Sequence, residues 1–155
     1  CASLYEAGIA FRLRLVGDAE NSDYAERLRR EVADLPYGSS VEFSGYHEDI
    51  SAFHRSADLF LYPSYGEGFG NAFNEAVTAG LVPIAYENTI FPELKRAGFH
   101  LHLAKDRDID SLSSVLLDVC RNIDAERKAA MANRELAEKL YAPEVERDKY
   151  QALLR

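Results

Sequence analysis

Two carboxylates, Glu67 and Glu75, bracket seven residues in the stretch PSYGEGFGNAFNEAVTAGLVPIAY, Pro63 to Tyr86. Glycine stands at every second position of the turn that holds the first of them: Gly66, Gly68 and Gly70. Glycine takes positive φ without strain and lets another molecule approach the backbone closely. The spacing after the turn predicts a helix over Asn71 to Ala79, ended by Gly80. The first N–H groups of a helix have no partner within it, and its dipole is positive at that end. Such a turn is an anion site, most often for phosphate. The pattern is G-x-G-x-G rather than the dinucleotide G-x-G-x-x-G, so the glycines alone fit a plain strand-to-helix turn equally well. The carboxylates add information. Phosphate repels them, so they face another part of any ligand, and a carboxylate accepts two hydroxyl hydrogen bonds side by side. Vicinal sugar hydroxyls fit, as ribose does on the acidic residue of dinucleotide folds. A ligand with sugar on both sides of its phosphates is implied, which is the shape of a nucleotide-sugar.

Each carboxylate also has a structural reading. Ser64-x-x-Glu67 has capping-box spacing, but a helix starting there would carry three glycines at roughly 1 kcal/mol each. Glu75 can serve as a negative charge early in its helix. With Asn71 as N-cap, the box partner would be Asn74, which leaves Glu75 free.

The elements that must position these residues follow from changes of apolar period. Strands are predicted at Phe11 to Gly17, Val41 to Gly45, Leu59 to Ser64, Val82 to Tyr86 and Phe99 to Leu103. The third and fourth are continuous apolar runs, as for strands buried on both faces. Helices are predicted over Asp23 to Leu35, Asp49 to Ala57, Asp108 to Ile123, Asp124 to Leu140 and Glu144 to Leu154, the last opened by Pro143. The opening CASLYEAG reads as the end of a helix. This alternation predicts an α/β fold: a doubly wound, Rossmann-like parallel sheet with helices on both faces. In such sheets ligands bind beyond the carboxyl ends of the strands, where the glycine turn lies.

The 155 residues are one domain's worth, 47% of them hydrophobic, and the net charge is −8. That charge excludes a broad nucleic-acid footprint, and no apolar run reaches the roughly 20 residues of a membrane span. Cys1 and Cys120 have no metal-type spacing and fit a reducing, cytoplasmic setting. His100 and His102 point to one side of their strand, but no Cys or third His stands nearby in sequence. No metal site is therefore expected. Asp106, Asp108 and Asp110 alternate as a loop and a helix N-cap would require.

In its motifs the chain resembles the C-terminal domain of retaining glycosyltransferases of the GT-B fold, glycosyltransferase family four. The segments LRLVGDAE, VEFSGYHEDI, ADLFLYPS, EGFGNAFNEAVTAGLVPIAY and FPEL before Gly98 stand in that family's order and intervals. The resemblance implies that residues 1–155 form one donor-binding domain, one half of a GT-B fold, with the N-terminal acceptor domain outside this chain. It implies transfer of a sugar from a nucleotide diphosphate sugar to the hydroxyl of a carbohydrate or lipid-linked acceptor, with retention. By that resemblance, Glu67 is the catalytic-site glutamate that orients the donor sugar. Gly68, Phe69, Gly70 and Asn71 meet the sugar and distal phosphate, Glu75 holds the ribose, and Tyr46, His47 and Glu48 wall the base. No metal or other cofactor is implied. The family's diphosphate-binding Arg and Lys precede Cys1, so the chain alone is expected to be inactive. The full-length protein is expected to be cytoplasmic, soluble or membrane-associated. Departures are Ala19 for a glycine, and Asn88 and Thr89 where Gly-Gly is common. Glu93 matches the glutamate of the family's P-E pair. The alternatives are a GT-B-like nucleotide-sugar epimerase and a non-catalytic nucleotide-binding or scaffold domain.

Overall fold

The computed structural model describes residues 1–18, 22–66 and 70–140. The predicted helix at Glu144 to Leu154 and the departure at Ala19 lie outside the described residues. The chain divides into two compact units, Cys1–Ala52 and Phe53–Arg155.

In the first unit, helix α1 (Ala2–Glu6) precedes strand β1 (Leu13–Val16), helix α2 (Ser22–Ala33), a 3₁₀ turn (Gly38–Ser40) and strand β2 (Val41–Gly45). β1 and β2 pair in parallel, from Leu13 opposite Val41, with a bulge at Leu15/Val16 that brings Val16 opposite Gly45. Leu4 is buried, and Tyr37 packs against both Tyr5 and Phe11. Arg12 and Arg14 flank the Glu42 carboxylate. α3 (Ser51–Arg55) comes next in the chain, and Asp49, two residues ahead of it, accepts from the Ser51 N–H through Oδ1 at 2.8 Å.

The second unit is built on β3 (Leu59–Tyr62), β4 (Val82–Tyr86) and β5 (His102–Ala104), all parallel, in the order β3-β4-β5. Helices α4 (Asn71–Thr78), α5 (Phe91–Arg96), α6 (Ile109–Arg121) and α7 (Ile123–Leu140) complete it. α4 and α7 pack on each other and on β4, and α6 packs on β4 and β5, so the fold is α/β with helices on both sides of parallel strands. All five residues of the central strand β4 are buried. β3, expected to be buried on both faces, is half-buried throughout, because it forms an edge of its three-stranded sheet. β5 starts later than predicted, and His100 and Leu101 lead into it as extended chain. α5 has no counterpart among the predicted helices; a six-residue segment with Pro92 in its first turn carries little periodic signal.

The core gathers Phe73 and Val77 of α4, Ala85 of β4, Phe91 and Leu94 of α5, Phe99, Leu101, and Ala137 of α7. Phe91 is its centre, with ring centroids 5.2 Å from Phe73 and 5.9 Å from Tyr62. The helix carrying Glu75 is therefore anchored through Phe73 to the sheet below it. Among the described residues, no helix is long and apolar enough to cross a membrane.

Candidate functional site

Parallel strands bring their carboxyl ends to one edge, and in the second unit three loops leave that edge: after Tyr62, after Tyr86 and after Ala104. The first carries the glycine turn. Ser64 to Gly66 form a bend in which the Ser64 hydroxyl faces the Gly66 N–H at 3.4 Å, so no helix opens at Ser64. Glu67, Gly68 and Phe69 lie outside the described residues. The chain is described again at Gly70, which is buried and left-handed, with φ 69° and ψ 57°. A Cβ there would sit 3.4 Å from that of Phe73, and an L-residue would be strained by the φ itself.

Gly70 is the N-cap of α4, not Asn71 as the sequence suggested; Asn71 is the first helical residue. A glycine N-cap has no side chain to satisfy the first N–H groups, and among the described residues no side chain caps them. The Asn74 N–H is bonded to the Gly70 carbonyl at 3.0 Å. Among the described residues, Asn74 Oδ1 is buried without a hydrogen-bond partner. Asn71 is exposed at the helix mouth, and Glu75, one turn on, is also exposed. A helix start with a glycine N-cap and an exposed carboxylate one turn on suits an anion and a diol held side by side.

Asn88 ties the three loops together. Its Nδ2 donates to the Ser64 carbonyl at 3.0 Å and to Asp106 Oδ1 at 2.6 Å, and Thr89 donates to its Oδ1 at 3.2 Å. Thr89 takes φ 44°, a left-handed backbone that favours glycine. Beside this clasp, Tyr65 stacks on Tyr86 at 5.9 Å and 10°, and the Arg107 guanidinium lies 5.2 Å over the Tyr65 ring. Burial pushes the Tyr86 hydroxyl pKa up, as do neighbouring Tyr65, Asp106 and Asp108. Asp108 caps α6, accepting from the Ser111 N–H at 2.9 Å. That bond, with Lys105 3.5 Å away, outweighs burial and holds its carboxyl below the usual range.

The remaining sequence-predicted residues are placed separately. Tyr46, His47 and Glu48 belong to the first unit, immediately beyond β2; Tyr46 is 73% exposed, and His47 Nε2 lies 3.0 Å from the Ser44 carbonyl. Glu93 is exposed in the first turn of α5. His100 and His102 do gain a third partner, Glu126 of α7, 26 and 24 residues away along the chain. Their Nε2 atoms lie 2.6 and 2.7 Å from the same Glu126 oxygen. Nothing in the local spacing around the histidines points to it.

The profile of the family described as glycosyl transferases group 1 matches residues 1–136. The chain belongs to this family. Among similar family proteins is the Amylovoran biosynthesis glycosyltransferase AmsK of Erwinia amylovora, 29% identical over 76% of the chain and 30% of the relative. The putative colanic acid biosynthesis glycosyltransferase WcaL of Escherichia coli K12 is 27% identical over 92% of the chain and 40% of the relative. The GDP-mannose:cellobiosyl-diphosphopolyprenol alpha-mannosyltransferase of Xanthomonas campestris is 30% identical over 79% and 33%. The chain thus spans less than half the length of these relatives. Among solved structures, Anabaena HepE in complex with UDP superposes with a TM-score of 0.80 at 22% identity, over 92% of this chain and 40% of that one. Sucrose-phosphate synthase of Thermosynechococcus elongatus gives 0.77 at 25%, over 99% and 41%. These likenesses establish the Rossmann-like GT-B fold.

Proposed function

We propose that the chain is the donor-binding part of a retaining glycosyltransferase that moves a sugar from a nucleotide diphosphate sugar to an acceptor hydroxyl. The observation that carries this reading is the start of α4. It opens on the left-handed Gly70 without a side-chain cap, at the carboxyl edge of a parallel sheet, in a chain of the glycosyl transferases group 1 family. In transfer, the bond between the anomeric carbon and the diphosphate breaks and a bond to the acceptor oxygen forms on the same face. Negative charge develops on the leaving diphosphate, whose oxygen takes the proton that the acceptor hydroxyl gives up. Gly68, Phe69, Gly70 and Asn71 present the backbone and the α4 dipole to that charge, which is preorganised electrostatic stabilisation. Glu67 orients the donor sugar, and Glu75 accepts the ribose hydroxyls. Tyr46, His47 and Glu48 wall the base. The chain's own residues carry this chemistry with no metal assigned to it.

The names and titles of the relatives and neighbours support a nucleoside diphosphate donor: one includes GDP-mannose and another states a complex with UDP. The acceptor is by the same token a carbohydrate or a lipid-linked saccharide, bound by a further domain. Isothermal titration with UDP, GDP and ADP tests the site. Glu75→Ala is expected to weaken the preferred nucleotide about tenfold or more, the loss of a charged hydrogen-bond acceptor, with an unchanged thermal midpoint. A stability loss without any change in nucleotide affinity would mean that Glu75 serves the helix and not a ligand.

A further inference from the structure

His100 stands two residues before β5 and His102 opens that strand, and Glu126 meets both from the first turn of α7. Both imidazole Nε2 atoms converge on a single oxygen, Glu126 Oε2, at 2.6 and 2.7 Å. The rings stand perpendicular, with centroids 5.1 Å apart. The three side chains keep 34%, 25% and 20% of their surface exposed, so an ion and a water have access. The first histidine is also held from behind. Buried Asn133 of α7 accepts from the His100 N–H at 2.7 Å and donates to the His100 carbonyl at 2.8 Å.

We infer that His100, His102 and Glu126 form a binding site for a divalent transition-metal ion, zinc foremost, that fastens the entry to β5 onto the start of α7. Two imidazole nitrogens and one carboxylate oxygen are a known zinc donor set, with water in the fourth position. Imidazole and carboxylate together favour zinc and its neighbours over calcium or magnesium, which take oxygen alone. The three donor atoms already lie within 4.8 Å of one another. Tetrahedral ligands at about 2.0–2.1 Å from zinc stand about 3.3 Å apart, so the nitrogen–oxygen separations must open by about 0.7 Å. Rotation of the Glu126 side chain provides this, since the backbone on the His100 side is fixed by Asn133. Binding also requires each imidazole to turn its Nε2 lone pair to the ion and keep its proton on Nδ1. The site lies at the amino end of β5, opposite the end from which the carboxyl-edge loop leaves after Ala104. It supplies a cross-link between elements that also bury Phe99, Leu101 and Ala137.

The test is calorimetric titration of the 155-residue chain with zinc chloride, beside Glu126→Gln and His102→Gln. Glutamine at 126 still accepts a hydrogen bond but ligates zinc poorly. The expected result is one ion per chain with a micromolar Kd, weakened at least about tenfold in each variant, and a zinc-dependent rise in thermal midpoint that both variants lose. Cobalt substitution provides an independent readout: a visible d–d spectrum without a thiolate charge-transfer band places the ion on nitrogen and oxygen rather than on Cys1 or Cys120. Should one variant fail to fold, the other and the cobalt spectrum decide. Sub-stoichiometric binding, a thiolate band, or undiminished affinity in a folded variant would overturn the proposal and leave a His–Glu–His hydrogen-bond cluster.

Discussion

At the scale of single residues, the site depends on a few side chains that the sequence marks and a few that it hides. Gly70 was visible as part of an alternating glycine run, yet its actual duty differs from the reading. It is the N-cap itself, in a conformation that strains any L-residue, and Asn71 begins the helix. Gly70→Ala should destabilise the protein by about 1–2 kcal/mol, the left-handed penalty, as read from urea unfolding. An unchanged midpoint would mean that the turn relaxes freely and presents no fixed N–H groups. Asn88 is the opposite case. It stands where the family pattern has a Gly-Gly pair, and no local pattern shows that its amide joins the loops after β3 and β5. Removing it in Asn88→Ala leaves the Ser64 carbonyl and Asp106 without their bonds, at a cost of about 1–3 kcal/mol. Faster hydrogen exchange of the amides at 64–66 and 87–89 would locate that loss at the edge; uniform acceleration elsewhere would not.

At the scale of elements, strands were legible where burial is complete. VPIAY is apolar throughout because β4 is central and covered on both sides, and its bounds match the reading. β3 has the same composition but lies at an edge, and composition does not report strand order. The α6 start was legible because Asp108 carries its own capping chemistry, borne out by the 2.9 Å bond from Ser111. That bond makes a pH prediction. The Asp108 carboxyl titrates below its ordinary value of 3.8 in the folded chain. Its contribution is therefore present in full above that value and lost as pH falls through the lower, folded one. Wild type should melt above Asp108→Ala at pH 6, and the gap should narrow on acidification below about pH 4. A constant gap would assign the effect to helix propensity alone. α5 was missed for its shortness, yet Phe91 on it centres the core. Phe91→Ala should cost about 3–5 kcal/mol in urea unfolding, and a loss under about 1 kcal/mol would contradict that packing. Glu126 was missed for a different reason: the fold brings it to His100 and His102 from a separate helix.

At the scale of the whole molecule, the net charge of −8 and the charge of the proposed nucleotide donor have the same sign. A chain of −8 has no general attraction for a diphosphate, so the proposed donor site relies on local backbone dipoles. Raising salt shortens the screening length from about 30 Å at 0.01 M to about 10 Å at 0.1 M. Nucleotide affinity of the chain should hold or rise over that range, where a surface cationic patch would lose it steeply. The family likeness spans residues 1–136 and the Rossmann-like order was readable from alternating periods, but the carboxyl-edge clasp was not. The most direct test of donor binding is an NMR titration of the isotopically labelled chain with UDP, GDP and ADP to millimolar concentration. The amides of Gly70 to Glu75 and of Tyr46 to Glu48 are predicted to shift saturably, with one base preferred. Shifts that spare the start of α4, or no shifts at any concentration, would contradict a donor site there.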